Sequence, residues 1–272
     1  MFSQSYHFLY LLLNLNTRLQ HLKAIQSYFV MNIIKLSAIN STNDYLKELS
    51  SAQYVENFTI VTAESQTSGR GQMGAQWASE PGKNLTFSVL VKDLLLDINE
   101  IFGLNAAVAI SVMHALEIFP IPNLCIKWPN DILAGNKKIG GILIENSIKN
   151  NGEIYSVIGI GLNVNQATFD GLAKASSMAL VSGRVYDKEA IMIAIAENLK
   201  RSIAALMHRD TAAIWQKYHN KLYKKDVPMP FEKDGHKFMG IIRGVSKTGS
   251  LMVQAEDDSI AEYGIKEVQL LY

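Results

Sequence analysis

Gly69-Arg70-Gly71-Gln72-Met73-Gly74 matches the spacing G-x-G-x-x-G, but the segments on either side decide what fold it can belong to. Phe58-Thr59-Ile60-Val61 before it reads as a strand. A dinucleotide-binding turn opens directly into a helix whose N-terminus meets the pyrophosphate. Here the chain passes through Trp77, Pro81 and Gly82 into Leu85-Thr86-Phe87-Ser88-Val89-Leu90-Val91, a second β-like run. That context removes the doubly wound nucleotide fold and leaves a long Gly-rich loop between two strands. Such a loop carries a guanidinium and a series of backbone N–H groups. It suits a carboxylate or a phosphate, or it is an ordinary exposed connection.

A second segment points the same way. Leu124-Cys125-Ile126-Lys127-Trp128 is a short apolar strand interrupted by a lysine, and Pro129 ends its ladder because it has no N–H to donate. A lysine at a strand end facing a cleft suits charge stabilisation; the alternative is a lysine snorkelling at the surface. In Lys137-Lys138-Ile139-Gly140-Gly141-Ile142-Leu143-Ile144-Glu145, paired glycines let a ligand or another backbone approach a strand. After the turn signal Lys149-Asn150-Asn151-Gly152, the strand from Ile154 runs into Gly159-Ile160-Gly161-Leu162-Asn163-Val164-Asn165. This reads as a hairpin with glycines on both arms.

The rest of the chain supplies scaffold. Asn43 to Leu49, after Ser41 and Thr42, reads as a capped helix start. Leu104 to Phe119 is an almost wholly apolar helix stopped by Pro120 and Pro122, hence buried, with His114 a core histidine. Lys188 to Met207 and Thr211 to Tyr223 are further helices, with Trp215 as a packing anchor. The pattern changes around Asp226-Val227-Pro228-Met229-Pro230. Short strands at Phe238 to Val245, Ser250 to Gln254 and Ser259 to Tyr263 predict a small β-domain beginning near residue 225. A chain of 272 residues, 48% hydrophobic, suffices for one large domain and one small one.

Several chemistries drop out. With 26 basic against 25 acidic residues there is no broad basic surface of the kind nucleic-acid binding needs. Cys125 stands alone, so no internal disulfide forms; it reads as a small buried hydrophobe, and a reducing cytoplasm is the natural compartment. The six histidines lack metal-ligand spacing. No G-x-S-x-G elbow is present, and Gly135-Asn136-Lys137-Lys138-Ile139-Gly140-Gly141 has glycine where a Walker loop needs lysine. The apolar run His7 to Leu13 is too short to span a bilayer and lacks the basic start of a signal peptide. The expectation is that Met31 is the true start, an extra surface helix being the alternative.

Taken in order, Ser41-Thr42-Asn43, the Gln66 to Trp77 loop, Lys127-Trp128-Pro129-Asn130-Asp131, Lys138 to Glu145 and Gly159 to Val164 resemble the motifs of a biotin protein ligase. The resemblance covers roughly Ile33 to the C-terminus. It implies an α+β fold in which helices flank a mixed, mainly antiparallel sheet of class II synthetase type. A small C-terminal SH3-like β-barrel follows. The implied domains are an extension at 1–31, a catalytic domain at 32–224 and a β-domain at 225–272. Some members carry a winged-helix repressor domain; the residues before Ser41 are too few for one, which implies a ligase only.

The implied reaction joins biotin to ATP, giving biotinyl-5′-adenylate and pyrophosphate, then transfers biotin to a lysine of a biotin carboxyl carrier protein. By resemblance, Lys127 and Arg70 are catalytic. Ser41, Thr42, Asn43, Gln66, Arg70, Gly71, Gln72, Lys127, Gly140 and Gly141 contact biotin. Arg70, Gly71, Gln72, Lys127, Trp77, Asn130 and Asn163 contact the adenylate, with Trp77 against the adenine. Magnesium is expected as the counter-ion of ATP, with Asp131 a candidate ligand. No membrane or nucleic-acid partner is implied, and a homodimer through sheet edges is compatible. Two departures stand out. Gln72 replaces a second arginine, which implies weaker retention of the adenylate. The tail Glu267-Val268-Gln269-Leu270-Leu271-Tyr272 lacks a basic residue that some relatives use to reach ATP, which puts the small domain's part in nucleotide binding in doubt. The alternatives are a lipoate–protein ligase or octanoyltransferase, and a non-catalytic sensor of biotin or its adenylate.

Overall fold

The computed structural model describes residues 31–94, 101–148 and 153–272. The apolar run at residues 7–13, the proposed extension and the turn signal at 149–152 lie outside the described residues, as does the question of a start at Met31.

From the N-terminal side the elements are β1 (Ile33–Ile39), α1 (Thr42–Ala52), β2 (Ile60–Gln66), β3 (Leu85–Leu94), α2 (Phe102–Leu116), β4 (Leu124–Lys127), β5 (Asp131–Ala134), β6 (Lys137–Ile148) and β7 (Ile154–Leu162). Then come α3 (Met178–Ser182), α4 (Lys188–Met207), α5 (Ala212–Asn220), and β8 (Pro228–Lys233), β9 (His236–Val245), β10 (Leu251–Gln254), β11 (Ile260–Tyr263) and β12 (Gln269–Leu270). Strands β1 to β7 form one sheet in the order β1-β2-β3-β7-β6-β5-β4, and β8 to β12 form another in the order β11-β10-β9-β8-β12. Only the β1–β2 pair is parallel; the remaining pairs of both sheets are antiparallel. The expected α+β architecture is therefore present. Among the described residues no helix is long and apolar enough to cross a membrane.

The apolar run of β3 follows from burial on both faces. Ser88 and Leu90, two residues apart, face α1: Leu90 packs with Leu46 and Val61, and Ser88 meets Asn43. The alternate residues Phe87, Val89 and Val91 point to the other face and are equally buried. Helix α2 is buried almost all round, as its uniform hydrophobicity predicts, and its one central hydroxyl, Ser111, bonds Ala107 O and Ser202 Oγ. The β4 edge is closed by the segment after α5, where Ile126 N–H donates to Lys221 O and Tyr223 N–H to Ile126 O.

In the small sheet, β9, β10 and β11 fall where the alternating pattern predicts them. Strand β12 falls within the C-terminal segment Glu267 to Tyr272, whereas β8 was not anticipated. Pro228 and Pro230 speak against a strand, yet both lie in β8 outside the short stretch paired with β12, so their missing N–H groups disrupt little. The core of this sheet is Phe231, fully buried and stacked on Phe238 at 5.5 Å.

Candidate functional site

The parallel pairing of β1 and β2 brings the ends of both strands to one place, with Ile39 opposite Gln66. Helix α1 starts there. Its N-cap Ser41 accepts from the Asp44 N–H at 3.4 Å, so Thr42 and Asn43 enter the helix beside the end of β2. Gln66 Oε1 accepts from the Thr42 N–H at 2.8 Å and lies 3.2 Å from its hydroxyl. Ser88 donates to Asn43 Oδ1 at 2.6 Å and lies 2.8 Å from Thr42 Oγ1. Ser41, Thr42, Asn43 and Ser88 are all buried. They form a polar end wall whose geometry is set before any ligand arrives. Ser88 was missed in the sequence because a serine in an apolar strand carries no motif.

This wall bounds a cavity of about 630 Å³, which Ser41, Thr42, Asn43 and Gln66 line together with Phe87, Ile142 and Ile160. Across it, Trp77 lies flat on the sheet where Gly141 and Gly161 face each other on β6 and β7. A Cβ on Gly161 would stand 2.5 Å from the indole, so glycine is required there. The indole Nε1 is buried with no hydrogen-bond partner among the described residues.

The Gly-rich loop also lines the cavity, through Arg70, Gly71 and Gln72. It is less of an open cradle than its sequence implies. Gly71 N–H donates to Ala75 O and Trp77 N–H to Gly69 O, while Thr67 and Ser68 donate back to Ile39 O and Asn40 O. These N–H groups are committed within the protein. Gln72 opens a single 3-10 turn, Gln72–Gly74, with Met73 in the left-handed region at φ 55°. The Arg70 guanidinium is held by two carboxylates, with Nη1 at 2.5 Å from Asp44 and Nη2 at 3.1 Å from Glu145.

At the opposite end, Lys127 and Asp131 form the closing pair of the β4–β5 hairpin, around the cis Trp128–Pro129 peptide. Lys127 Nζ lies 4.0 Å from Asp131, and Lys138 Nζ lies 2.6 Å from the same carboxylate. Lys174 Nζ stands 3.8 Å from the centre of the Tyr272 ring, with Lys127 Nζ 5.3 Å from it. Burial pushes the Lys127 ammonium below the usual lysine range, Asp131 opposes this, and Lys138 and Lys174 add to it. Two ammoniums thus share one carboxylate, with a third, Lys174, beside Tyr272.

The small sheet forms a wall of the same cavity through Ile242, Leu251, Lys266, Val268 and Tyr272. The C-terminal tail thus reaches the cavity although it lacks a basic residue of its own. Lys266, a few residues earlier in the chain, supplies a cation and bonds Met73 O of the loop at 3.4 Å. Trp128 Nε1 donates to Gly249 O at 2.9 Å, tying the sheet to the lysine strand.

Two sequence-predicted contacts do not reach the cavity. Gly140 is buried, and a Cβ there would run into Leu162 of the neighbouring strand, so the packing of the sheet itself requires glycine. Asn163 is buried with its amide donating to Ser176 O, and it holds the turn after β7. Asn130 does line the cavity, but its amide nitrogen is committed to Ile142 O at 2.7 Å. Asp131 is ion-paired, and among the described residues no group of three His, Cys, Asp or Glu side chains is placed to hold a metal. Cys125 lies outside the cavity lining, its thiol pushed up to about 11 by burial. His114 is half-buried on α2, outside the lining, and burial pulls it below the usual histidine range.

Comparison with known proteins agrees with this geometry. Residues 36–165 match the model of the Biotin/lipoate A/B protein ligase family. The bifunctional ligase/repressor BirA of Bacillus spizizenii is 34% identical over 166 residues, covering 59% of this chain and 50% of that protein; the match thus spans about half the length of that relative. The biotin–[acetyl-CoA-carboxylase] ligase of Paracoccus denitrificans is 26% identical over 232 residues, covering 80% of this chain and 92% of that one. Among solved structures, the biotin protein ligase of Aquifex aeolicus in complex with biotin and ATP superposes with a TM-score of 0.71 at 26% identity, covering 88% of this chain and 98% of that one. By its matched segment, its fold and its relatives, the chain is similar to proteins of the biotin/lipoate A/B protein ligase family.

Proposed function

We propose that this chain is an ATP-dependent biotin–protein ligase. The observation that carries the reading is the charge of the cavity. Among the described residues, Arg70, Lys127, Lys138, Lys174 and Lys266 line it against a single carboxylate side chain, Asp131, beside an apolar slot closed by a polar wall. Biotin is an apolar bicycle with a polar ureido edge and a carboxylate tail. The slot suits the rings, the Ser41 to Asn43 wall with Gln66 suits the ureido group, and the lysine end suits the carboxylate and the phosphates.

In the first half-reaction a carboxylate oxygen of biotin bonds to the α-phosphorus of ATP. The bridging P–O bond breaks and pyrophosphate leaves with the electron pair. Two anions must meet, so positive charge fixed in place beforehand lowers the barrier. Lys127 and Lys138 supply it near the reacting atoms, and Arg70 closes over the product. In the second half-reaction the amine of an acceptor lysine attacks the acyl carbon, the bond to AMP breaks, and the amine proton passes to solvent. Magnesium would arrive on the ATP phosphates, with Asp131 the one lining carboxylate able to reach it after parting from Lys138. The acceptor is a biotin carboxyl carrier domain, the compartment is the cytoplasm, and the division is a catalytic unit at 32–224 with a β-unit at 225–272. A homodimer through a sheet edge would use β1, the terminal strand of the large sheet.

The test is one assay. Purified protein is incubated with ATP, magnesium, a carrier domain and either biotin or lipoate, and the acceptor is weighed by mass spectrometry. A biotin-sized addition supports the reading, whereas a lipoyl addition, or no addition, rejects it.

A further inference from the structure

Glu145 does not line the cavity, yet its carboxylate touches both sides of it. Oε2 accepts from Asn43 Nδ2 of the slot wall at 2.8 Å. Oε1 lies 3.1 Å from Arg70 Nη2 of the Gly-rich loop and 2.9 Å from Lys47 Nζ. Asn43 is held at its other end by Ser88, so its amide cannot rotate without giving up a bond. Asp44 also grips Arg70, at 2.5 Å, and Lys47, at 3.0 Å, but among the described contacts its carboxylate does not reach Asn43. Among the described contacts, Glu145 is the side chain that reaches Asn43 and Arg70 together.

A single negative charge is therefore shared between an amide of the slot and the guanidinium of the loop. Glu145 is also the leading electrostatic attraction on the Arg70 guanidinium, ahead of Asp44. If a ligand steadies Asn43, the carboxylate is steadied with it and Arg70 is placed before the second ligand arrives. The second ligand then meets a loop whose ordering cost has already been met. We propose that Glu145 is a positioning residue that couples occupation of the slot to the placement of Arg70. This inference rests on the reading of the cavity as a site for biotin and ATP.

The experiment measures coupling directly. The full chain is titrated calorimetrically with biotin, with a non-hydrolysable ATP analogue, and with each in the presence of the other. In the wild-type chain each ligand should tighten the other by about tenfold. Glu145→Gln keeps an oxygen for Asn43 but removes the charge that holds Arg70. The enhancement should fall to about twofold while biotin alone binds within about threefold of wild type. Asp44→Asn, which leaves the Asn43–Glu145 bond in place, should keep the enhancement within about twofold of wild type. A thermal melt of each variant confirms that it is folded. Undiminished enhancement in Glu145→Gln, equal loss in Asp44→Asn, or no enhancement in the wild type overturns the inference while leaving the biotin–ATP reading intact. A folded wild-type chain that binds neither ligand overturns both.

Discussion

In the proposed reaction Lys127 would work as an ammonium, so adenylate formation should fall as pH rises through its pKa. Because burial and the neighbouring lysines lower that pKa, the fall should begin below the usual lysine range. The causes can be separated by substitution. Asp131 raises the Lys127 pKa, so Asp131→Asn should move the alkaline limb to lower pH. Lys138 lowers it, so Lys138→Met should move the limb to higher pH, aided by release of Asp131 from its 2.6 Å pair. At the 4.0 Å separation of Lys127 and Asp131, Coulomb's law gives ~1 kcal/mol in water and ~4 kcal/mol at an effective dielectric of 20. The side chains are 26% and 19% exposed, so screening favours the lower end. About 1–2 kcal/mol corresponds to a displacement of roughly one pH unit. The assay is the rate of pyrophosphate release with saturating biotin and ATP from pH 7 to 10.5, a range in which neither substrate's reacting group titrates. Both variants moving the limb in the same direction, or neither moving it, would refute the assignment of the limb to Lys127.

Other expected outcomes follow from single contacts. Gly161→Ala places a Cβ 2.5 Å from the Trp77 indole and should lower stability by about 1–3 kcal/mol in a thermal melt, with Trp77→Ala relieving the loss in the double variant. Gln72→Arg restores a second guanidinium to the loop and should slow escape of the adenylate in single turnover; an unchanged rate would count against a retention role for that position. Lys174→Met should raise the KM for ATP several-fold with little change in the KM for biotin, because Lys174 stands at the lysine end of the cavity beside Tyr272 and away from the slot wall. Cys125, with its thiol at about 11, should resist iodoacetamide at pH 8, and treated protein should keep its activity.

The motifs were legible because each is a local event. The strand-to-strand context of the Gly-rich loop ruled out a helix-based phosphate site, and a sheet does flank it on both sides. Ser41 caps a helix because a hydroxyl there satisfies an N–H that the helix leaves open. What escaped the sequence depends on register between distant segments. Ser88 meets Asn43 only because β3 turns its even-numbered residues toward α1, and a serine in an apolar run announces nothing of the kind. Lys174 and Lys266 sit in irregular segments, and they become part of the site only when Tyr272 and Met73 are brought against them.

The two predicted residues outside the cavity lining, Gly140 and Asn163, lie there for a common reason. Each lies in a motif whose other members do face the cavity, and a period-2 strand or the turn that follows it sends alternate residues elsewhere. Gly141 opposes Gly161 beneath Trp77, so Gly140, one step along, must face the other side of β6, where Leu162 leaves it no room. Resemblance carries a motif over whole; the pleat divides it between ligand and sheet. A site read from sequence alone should therefore be expected to err by single residues within strands more than by whole segments. Lys127 and Lys138 show the same logic in reverse. They are 11 positions apart in the chain, yet hairpin pairing places both on Asp131, so a charge surplus that no single motif contains is assembled by the sheet.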